Sequence, residues 1–379
     1  MNFNISNNLE IILITYNRKE KLKNIVSDIL DYNSPIRNCK ITFLDNCSTD
    51  GTSEFLSELS KNNNNIRHIR HEINIGGSAN LVRGYEYVSK KYFWMLCDDD
   101  RLDFTNWQKI ESALKSDKYD IVETYTDPRV FSGDTYEDKL SKLIVEIVLL
   151  PAAIYKSEYL TDEVIFNSYI NLYTLVPHMA LISAIVNNKN HNIYFFNNYD
   201  EQIVLQGYSD ANYKRGYRKD IHPIIKSMDL TVGFAISLSM IHNKVLRYKC
   251  IDRIRSYFGL SFQGFVSEMP YYWISAGLND NLMAIYNVCS EEQRKSFIDR
   301  ISQLREELKK YNRNILTLFN VHIFQFFKIK NRIFSFSFIG FSKLINREHK
   351  KFYSLFSFTK EIYYLKIVLL FLIRITIKI

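Results

Sequence analysis

The sequence predicts an α/β protein: a mostly parallel, doubly wound sheet flanked by helices, followed by a helical C-terminal region. Three observations predict it. Short runs rich in β-branched residues alternate with helical patterns over the first 125 residues, the signature of strand–helix–strand units. Three of those runs end in polar clusters, at the rim where such sheets bind ligands. From residue 224 to about 311 the pattern is mostly helical, with no internal repeat.

The elements follow in order. LEIILIT (9–15) reads as the first strand and residues 18–30 as a helix. CKITFLD (39–45) is a second strand; DGTSEFLSELS (50–60) is a helix with Asp50 or Thr52 as its N-cap. IRHIRH (66–71), a helix over 77–91, the strand YFWML (92–96), a helix over 105–115 and YDIVETY (119–125) complete the alternating part. Beyond it, 139–150 reads as an apolar helix, PAAIYK (151–156) as a strand returning to the sheet, and 157–166 as a helix capped by Ser157. Pro177 marks the first turn of a helix over 177–186, because its missing N–H is not needed there, and HNIYFFNN (191–198) is a further strand. We divide the chain into residues 1–225, a helical region 226–322, and a tail 323–379.

With 46% hydrophobic and 24% charged residues the chain is a folded protein, not a disordered one. Its bias toward Lys, Asn, Ile, Phe and Tyr resembles the output of an AT-rich bacterial genome. The net charge of +8 is local. Residues 324–379 hold eleven Lys/Arg and two acids, a charge of +9, which leaves −1 for residues 1–323. A nucleic-acid-binding body is therefore not implied. Five cysteines without paired spacing fit neither a disulfide framework nor a zinc site, and point to a reducing compartment. The opening MNFNISNNLE lacks a basic, apolar leader, so a cytoplasmic location is expected.

The chemistry begins where YFWMLC runs into Asp98, Asp99 and Asp100. Three adjacent carboxylates repel unless a cation sits among them. A strand end followed by Asp-x-Asp can chelate Mn2+ or Mg2+, which in turn grips a diphosphate; the plain alternative is a solvated turn. Asp45 ends the second strand, where a carboxylate can accept from a nucleobase N–H, while the hydroxyls and Asp50 after it serve partly as caps. Asn74, Gly76 and Gly77 form a loop entering a helix, where backbone can approach a ligand closely and anions are favoured. Arg83, inside that helix, faces either the rim or the solvent.

LITYNR (13–18), FLDNCSTDGT (43–52), NIGGSANLVRG (74–84) and YFWMLCDDD (92–100), in this order and spacing, resemble family 2 glycosyltransferases of the GT-A fold, of the bacterial surface-polysaccharide type. The resemblance covers about the first 125 residues. It implies a nucleoside-diphosphate sugar donor, with Thr15, Tyr16 and Asn17 cradling the nucleotide, Asp45 reading the base, Asp98 at the ribose, and Asp100 with Asp98 holding the metal while Asp99 lies close by. It also implies a glycosyltransferase that inverts the anomeric carbon, acting on a hydroxyl of a lipid-linked or growing surface saccharide. Val82 stands where many members have asparagine.

Relatives place their catalytic base on a Glu-Asp pair opening a helix 80 to 100 residues after the acidic triplet. At the matching helix start this chain has Val176, Pro177 and His178 instead. His178 is a base candidate, since an imidazole works near neutral pH; packing at a helix end is the competing reading. Asp200, Glu201 and Asp162 are the alternatives. Lys214, Arg215, Arg218 and Lys219 either close over the diphosphate or form a solvated charge run.

The tail interleaves fourteen Phe/Tyr with its eleven cations. Its longest uncharged stretch near the end, residues 367–373, is far too short to span a bilayer. Residues 362–379 are therefore expected to form an amphipathic helix lying on an anionic membrane surface, making the protein peripheral at the inner membrane; a core or dimer helix is the alternative. IFSFSFI (333–339) alternates like a strand. Two other functions are weighed. A nucleotidyltransferase would carry a glycine-rich phosphate loop where this chain has TYNRKEK, and a non-catalytic saccharide-binding scaffold would lack a base.

Overall fold

The first strand is buried along almost its whole length, which requires neighbours on both edges and helices on both faces. In the computed structural model β1 (Leu9–Thr15) lies between β2 (Lys40–Asp45) and β4 (Tyr92–Cys97), parallel to both. With β3 (Ile66–Arg70), β6 (Ile121–Glu123), β7 (Ala153–Lys156) and β8 (Ile193–Tyr194) they form a seven-stranded sheet of order β3-β2-β1-β4-β7-β6-β8. Only β7 runs against its neighbours, so the predicted mostly parallel sheet is what forms. A two-stranded ribbon pairs β5 (Arg101–Leu102) with β9 (Val204–Leu205). The structure describes residues 3–127, 133, 135–197, 199–205, 230–257, 290, 292–293, 295, 299 and the strands between 315 and 378.

Helices α1 (Lys19–Leu30), α2 (Thr52–Asn62), α3 (Gly77–Tyr85) and α4 (Trp107–Ser116) connect the parallel strands, each burying one stripe, as Leu22, Ile25, Val26 and Ile29 do on α1. The start of α2 uses Gly51 at a left-handed φ of 87°, while Asp50 accepts from the N–H and hydroxyl of Thr52. Gly84 of α3 sits directly on the sheet: a Cβ there would meet Ile12 Cγ2 at 2.9 Å, Met95 Cε at 3.1 Å and Leu44 Cδ1 at 3.2 Å. Gly84→Ala should therefore destabilise the fold by about 1–3 kcal/mol through overpacking, less up to about 1 kcal/mol of regained helix propensity. Urea unfolding of the two proteins checks the sign.

α5 (Tyr136–Glu146), α6 (Asp162–Ile170) and α7 (Met179–Asn187) follow. The helix expected to start at Ser157 begins instead after a short 3-10 turn, where the Thr161 hydroxyl accepts from Val164 N. α8 (Leu230–Ser237) and α9 (Lys244–Tyr257) are helices, and Lys249 Nζ meets Asp138 at 2.9 Å while Arg253 donates to Ser141 at 2.6 Å. These bonds tie α9 to α5, and the first compact unit accordingly runs past residue 225, through Arg253.

The tail departs from expectation. Residues 362–379 are not an amphipathic helix: Tyr364–Leu369 (β14) and Ile373–Lys378 (β15) pair antiparallel. They close a six-stranded meander with β10 (Ile315–Leu318), β11 (Val321–Ile329), β12 (Arg332–Asn346) and β13 (His349–Lys360), so strand structure starts ahead of the expected boundary at 322. In the ladder Phe336 stands opposite Phe358, Ser337 opposite Ser357 and Phe338 opposite Phe356. Among the described residues no helix is long and apolar enough to cross a membrane.

Candidate active site

The site is built at the carboxyl ends of β1, β2 and β4. Since β1 is paired with both others, their last residues are neighbours by construction; Thr15 lies in register with Asp45. Across the other edge the Thr15 hydroxyl donates to Asp98 Oδ2 at 2.7 Å. Asp98 is 3% exposed. Burial raises its carboxyl above the ordinary range, opposed by the nearby Arg18 charge and the Thr15 bond. Arg18 NH1 reaches Asp98 Oδ1 at 2.8 Å and Asp99 Oδ2 at 3.0 Å, so two carboxylates converge on one guanidinium nitrogen. Asp100 does not join them: its Oδ2 accepts from Cys97 N at 2.9 Å, and burial pushes its acid up to about 8.

The loops behind these tips are stitched together. Asn17, at a left-handed φ of 52°, accepts from Thr49 N at 2.7 Å and donates its own N–H to Ser48 Oγ at 2.9 Å; asparagine tolerates that backbone better than most residues. Tyr16, half-buried, lies between Asn17 and Thr15. Asp45 is fully buried. Its Oδ1 accepts from Ser48 N at 2.8 Å, while Oδ2 has no hydrogen-bond partner and faces His68 Nε2 at 3.7 Å and Arg70 Nε at 3.8 Å. Burial would raise this acid, but His68 and Ser48 outweigh burial and hold it ionised below the ordinary range.

Asn74 Oδ1 accepts from Asn46 Nδ2 and from Gly76 N, both at 2.9 Å, and Asn46 Oδ1 accepts from Ile75 N at 2.9 Å. The glycine loop is thus locked onto the end of β2. Gly76, at φ 91° and ψ 154°, needs glycine, and Gly77 has open space where a side chain would stand. Arg83 pairs with Glu86 at 2.5 Å, whose other oxygen accepts from Tyr169 at 2.6 Å, joining α3 to α6.

His178 precedes α7 and is buried. Its Nε2 lies 2.9 Å from the Ile147 carbonyl, and burial lowers its pKa to about 4. A carbonyl only accepts, so Nε2 carries the proton of the neutral ring and Nδ1 the lone pair, which has no partner. Among the alternatives, Glu201 is bound by Lys109 at 3.0 Å and accepts from Asn197 N at 3.2 Å. Asp200 is exposed, with its carbonyl accepting from Asn106, and Asp162 stands in the exposed first turn of α6. Lys214, Arg215, Arg218 and Lys219 lie outside the described residues.

Sequence reasoning gave no role to Arg18, His68 or Arg70, nor to a buried pair of acids, Glu123 and Glu146. Only the need of three aspartates for a cation pointed toward Arg18. Glu146 accepts from Asp127 N at 2.6 Å and pairs with Lys142 at 2.8 Å, and Glu123 accepts from Phe196 N at 2.6 Å. Burial, with Glu146 close by, raises Glu123 to about 8. The folded state therefore binds a proton that the unfolded chain releases near pH 4.5, so stability falls as pH rises from about 5 to about 8. Glu123→Gln keeps an acceptor for Phe196 and should flatten the decline in melting temperature across that window.

Residues 10–189 match the Glycosyl transferase family 2 profile. The chain carries a domain of this family. The mostly parallel sheet with flanking helices is its GT-A arrangement. Abequosyltransferase RfbV of Salmonella typhimurium is 31% identical over 115 residues, 30% of this chain and 31% of that protein. The putative teichuronic acid biosynthesis glycosyltransferase TuaG of Bacillus subtilis is 27% identical over 101 residues, 27% of this chain and 37% of that one. The matches thus span about a third of each curated relative's length. Among solved structures, S. aureus TarS 1-349 is 12% identical, with 90% of this chain and 98% of that chain covered at a TM-score of 0.48. The matched stretch of the glycosyltransferase domain contains the whole strand-tip site and His178. Among the described residues Cys39, Cys47, Cys97 and Cys250 are free.

Proposed function

We propose that the chain transfers a sugar from a nucleoside-diphosphate donor to a hydroxyl of a lipid-linked or growing surface saccharide, with inversion. The observation that carries this reading is the junction of Thr15, Arg18, Asp98 and Asp99, where the Thr15 hydroxyl and the Arg18 guanidinium meet the carboxylates that follow β4 at 2.7 to 3.0 Å within the matched stretch.

In this reading Thr15, Tyr16 and Asn17 flank the nucleotide. The unpartnered Oδ2 of Asp45 accepts from a base N–H, and the loop of Asn74, Gly76 and Gly77 brings backbone N–H groups close to the donor. Hard oxygen donors suit Mn2+ or Mg2+. The pair that converges is Asp98 with Asp99, not Asp98 with Asp100, because Asp100 is committed to Cys97 N. Among the described residues no three such side chains gather to hold an ion alone, which fits an ion completed by diphosphate oxygens. When bound, it would offset charge on the departing diphosphate.

The acceptor oxygen forms its bond to the anomeric carbon as the bond to the diphosphate breaks, and its proton goes to a base. We assign that base to His178, whose Nδ1 lone pair has no partner among the described residues. Arg83 is left out of the donor site, being engaged with Glu86.

Incubation with a panel of nucleotide sugars, with and without Mn2+, tests the reading: metal-stimulated release of nucleoside diphosphate from one donor is expected. Release from none would leave the non-catalytic scaffold, and transfer of a nucleotidyl group would favour the nucleotidyltransferase. The +9 charge of residues 324–379 supports docking on anionic membrane, now by a strand-built unit. Cosedimentation with phosphatidylglycerol vesicles but not phosphatidylcholine vesicles is the expected result.

A further inference from the structure

Asp28, on α1, holds the chain that leaves the acidic triplet. Its Oδ2 accepts from Arg101 Nε at 2.6 Å and from Leu102 N at 3.0 Å, and its Oδ1 accepts from Arg101 NH2 at 2.8 Å. One carboxylate thus takes a forked guanidinium and a backbone N–H of β5 together. The start of the same helix is tied to the triplet itself, since Arg18, the residue before α1, meets Asp98 and Asp99 at 2.8 and 3.0 Å. The aspartates therefore sit on a turn between two fixed feet. One foot is β4 within the sheet, and the other is β5, fastened to α1 about 15 Å along the helix from Arg18. The clasp reaches one element further, because Arg101 pairs with Leu205, Leu102 pairs with Val204, and Asp103 N donates to Ile203 O at 2.8 Å. As a stabilising contact the ion pair counts for little, because the Arg101 side chain is 53% exposed. As a geometric one it counts for more: a site that holds a ligand between fixed side chains tolerates displacements of only about 0.5 Å.

Taking the strand-tip site as the donor site proposed above, we propose that Asp28 is a positioning residue for that site: it fixes β5, and through β5 the turn that presents Asp98 and Asp99 to a divalent cation and its diphosphate. It acts through β5 and touches neither the ion nor the diphosphate. Opening the clasp lets the turn shift while β4 and α1 keep their own cores. Affinity for the ion with its diphosphate then falls although the fold is intact.

The test is titration of the full chain with Mn2+ plus inorganic pyrophosphate, read by calorimetry well below the melting temperature, which is measured alongside. Asp28→Asn keeps an acceptor for Leu102 N but turns an N–H toward the guanidinium. It should bind Mn2+-pyrophosphate about tenfold more weakly than wild type while melting within a few degrees of it. Arg101→Lys keeps the charge and leaves Leu102 N on Asp28, losing only the fork. It should lose about threefold in the same affinity, and it decides the matter should Asp28→Asn melt early. A lowered melting temperature with wild-type affinity in the deciding variant would mark a purely structural clasp and overturn the proposal, as would wild-type values of both or no Mn2+-pyrophosphate binding by the wild type. The readout is independent of turnover. Donor turnover by the wild type with unaltered affinity in Asp28→Asn sinks this inference alone, whereas the affinity loss without turnover of any donor sinks the transferase reading alone.

Discussion

Asp98→Asn is expected to lower kcat/KM for donor by roughly 10²–10³-fold, the scale lost when one preorganised electrostatic contact is removed from a reacting site. The residue is the hub of the strand-tip junction, bonded to Thr15 on one oxygen and Arg18 on the other. The amide preserves the shape and can still accept from one of them, so the fold should survive. What it removes is the charge that Arg18 balances. Side by side, Asp100→Asn should have a much smaller effect, since that carboxyl is bonded to Cys97 N and stays protonated up to about pH 8. Steady-state kinetics of both variants over a range of Mn2+ concentrations distinguishes the two acids. Equal losses would mean that Asp100 leaves Cys97 and takes part.

His178→Ala should lower kcat by about 10²–10⁴-fold with little change in KM, the usual scale for a lost general base. Truncation also deletes the bond to the Ile147 carbonyl, so loss of structure must be separated from loss of chemistry. His178→Gln does this: its amide can donate to Ile147 but cannot take a proton, and it should melt near wild type while remaining as inactive as alanine. The pH profile gives a second check. Burial lowers the imidazole to about 4, and a base works when deprotonated, so kcat/KM should hold from pH 8 down to about 5 and fall only as pH approaches 4. An acid limb near 6.5 would indicate an imidazole that meets water. Full turnover in both variants would return the base role to Asp200, Glu201 or Asp162.

The fold of the first half was legible because its signals are local. A run such as LEIILIT needs no partner to be read as a buried strand, and the residue that ends it is read at the same time. Thr15, Asp45 and Asp98 were placed at a common rim in this way, and β1 does lie between the strands bearing the other two. Residues 362–379 failed for the opposite reason. IRITIK fits both a two-residue alternation and a broad helical arc. Pairing of Tyr364 with Lys378 through Leu369 with Ile373 decides for strand, and pairing is a property of two segments. His178 was likewise visible as a helix-start residue, whereas its burial against Ile147 follows from how α5 and α7 pack.

The sequence by itself determined which polar groups stand at strand ends and which glycines turn the chain, because side-chain period and backbone tolerance act within a few residues. Only the tertiary structure decided that Asp98 and Asp99 share Arg18 while Asp100 accepts from Cys97 N, and that Arg83 binds Glu86. Arg18 and Asp98 lie 80 residues apart in the chain; strand order sets which distant charges come within reach, and burial then makes each carboxylate bond to the nearest group able to satisfy it.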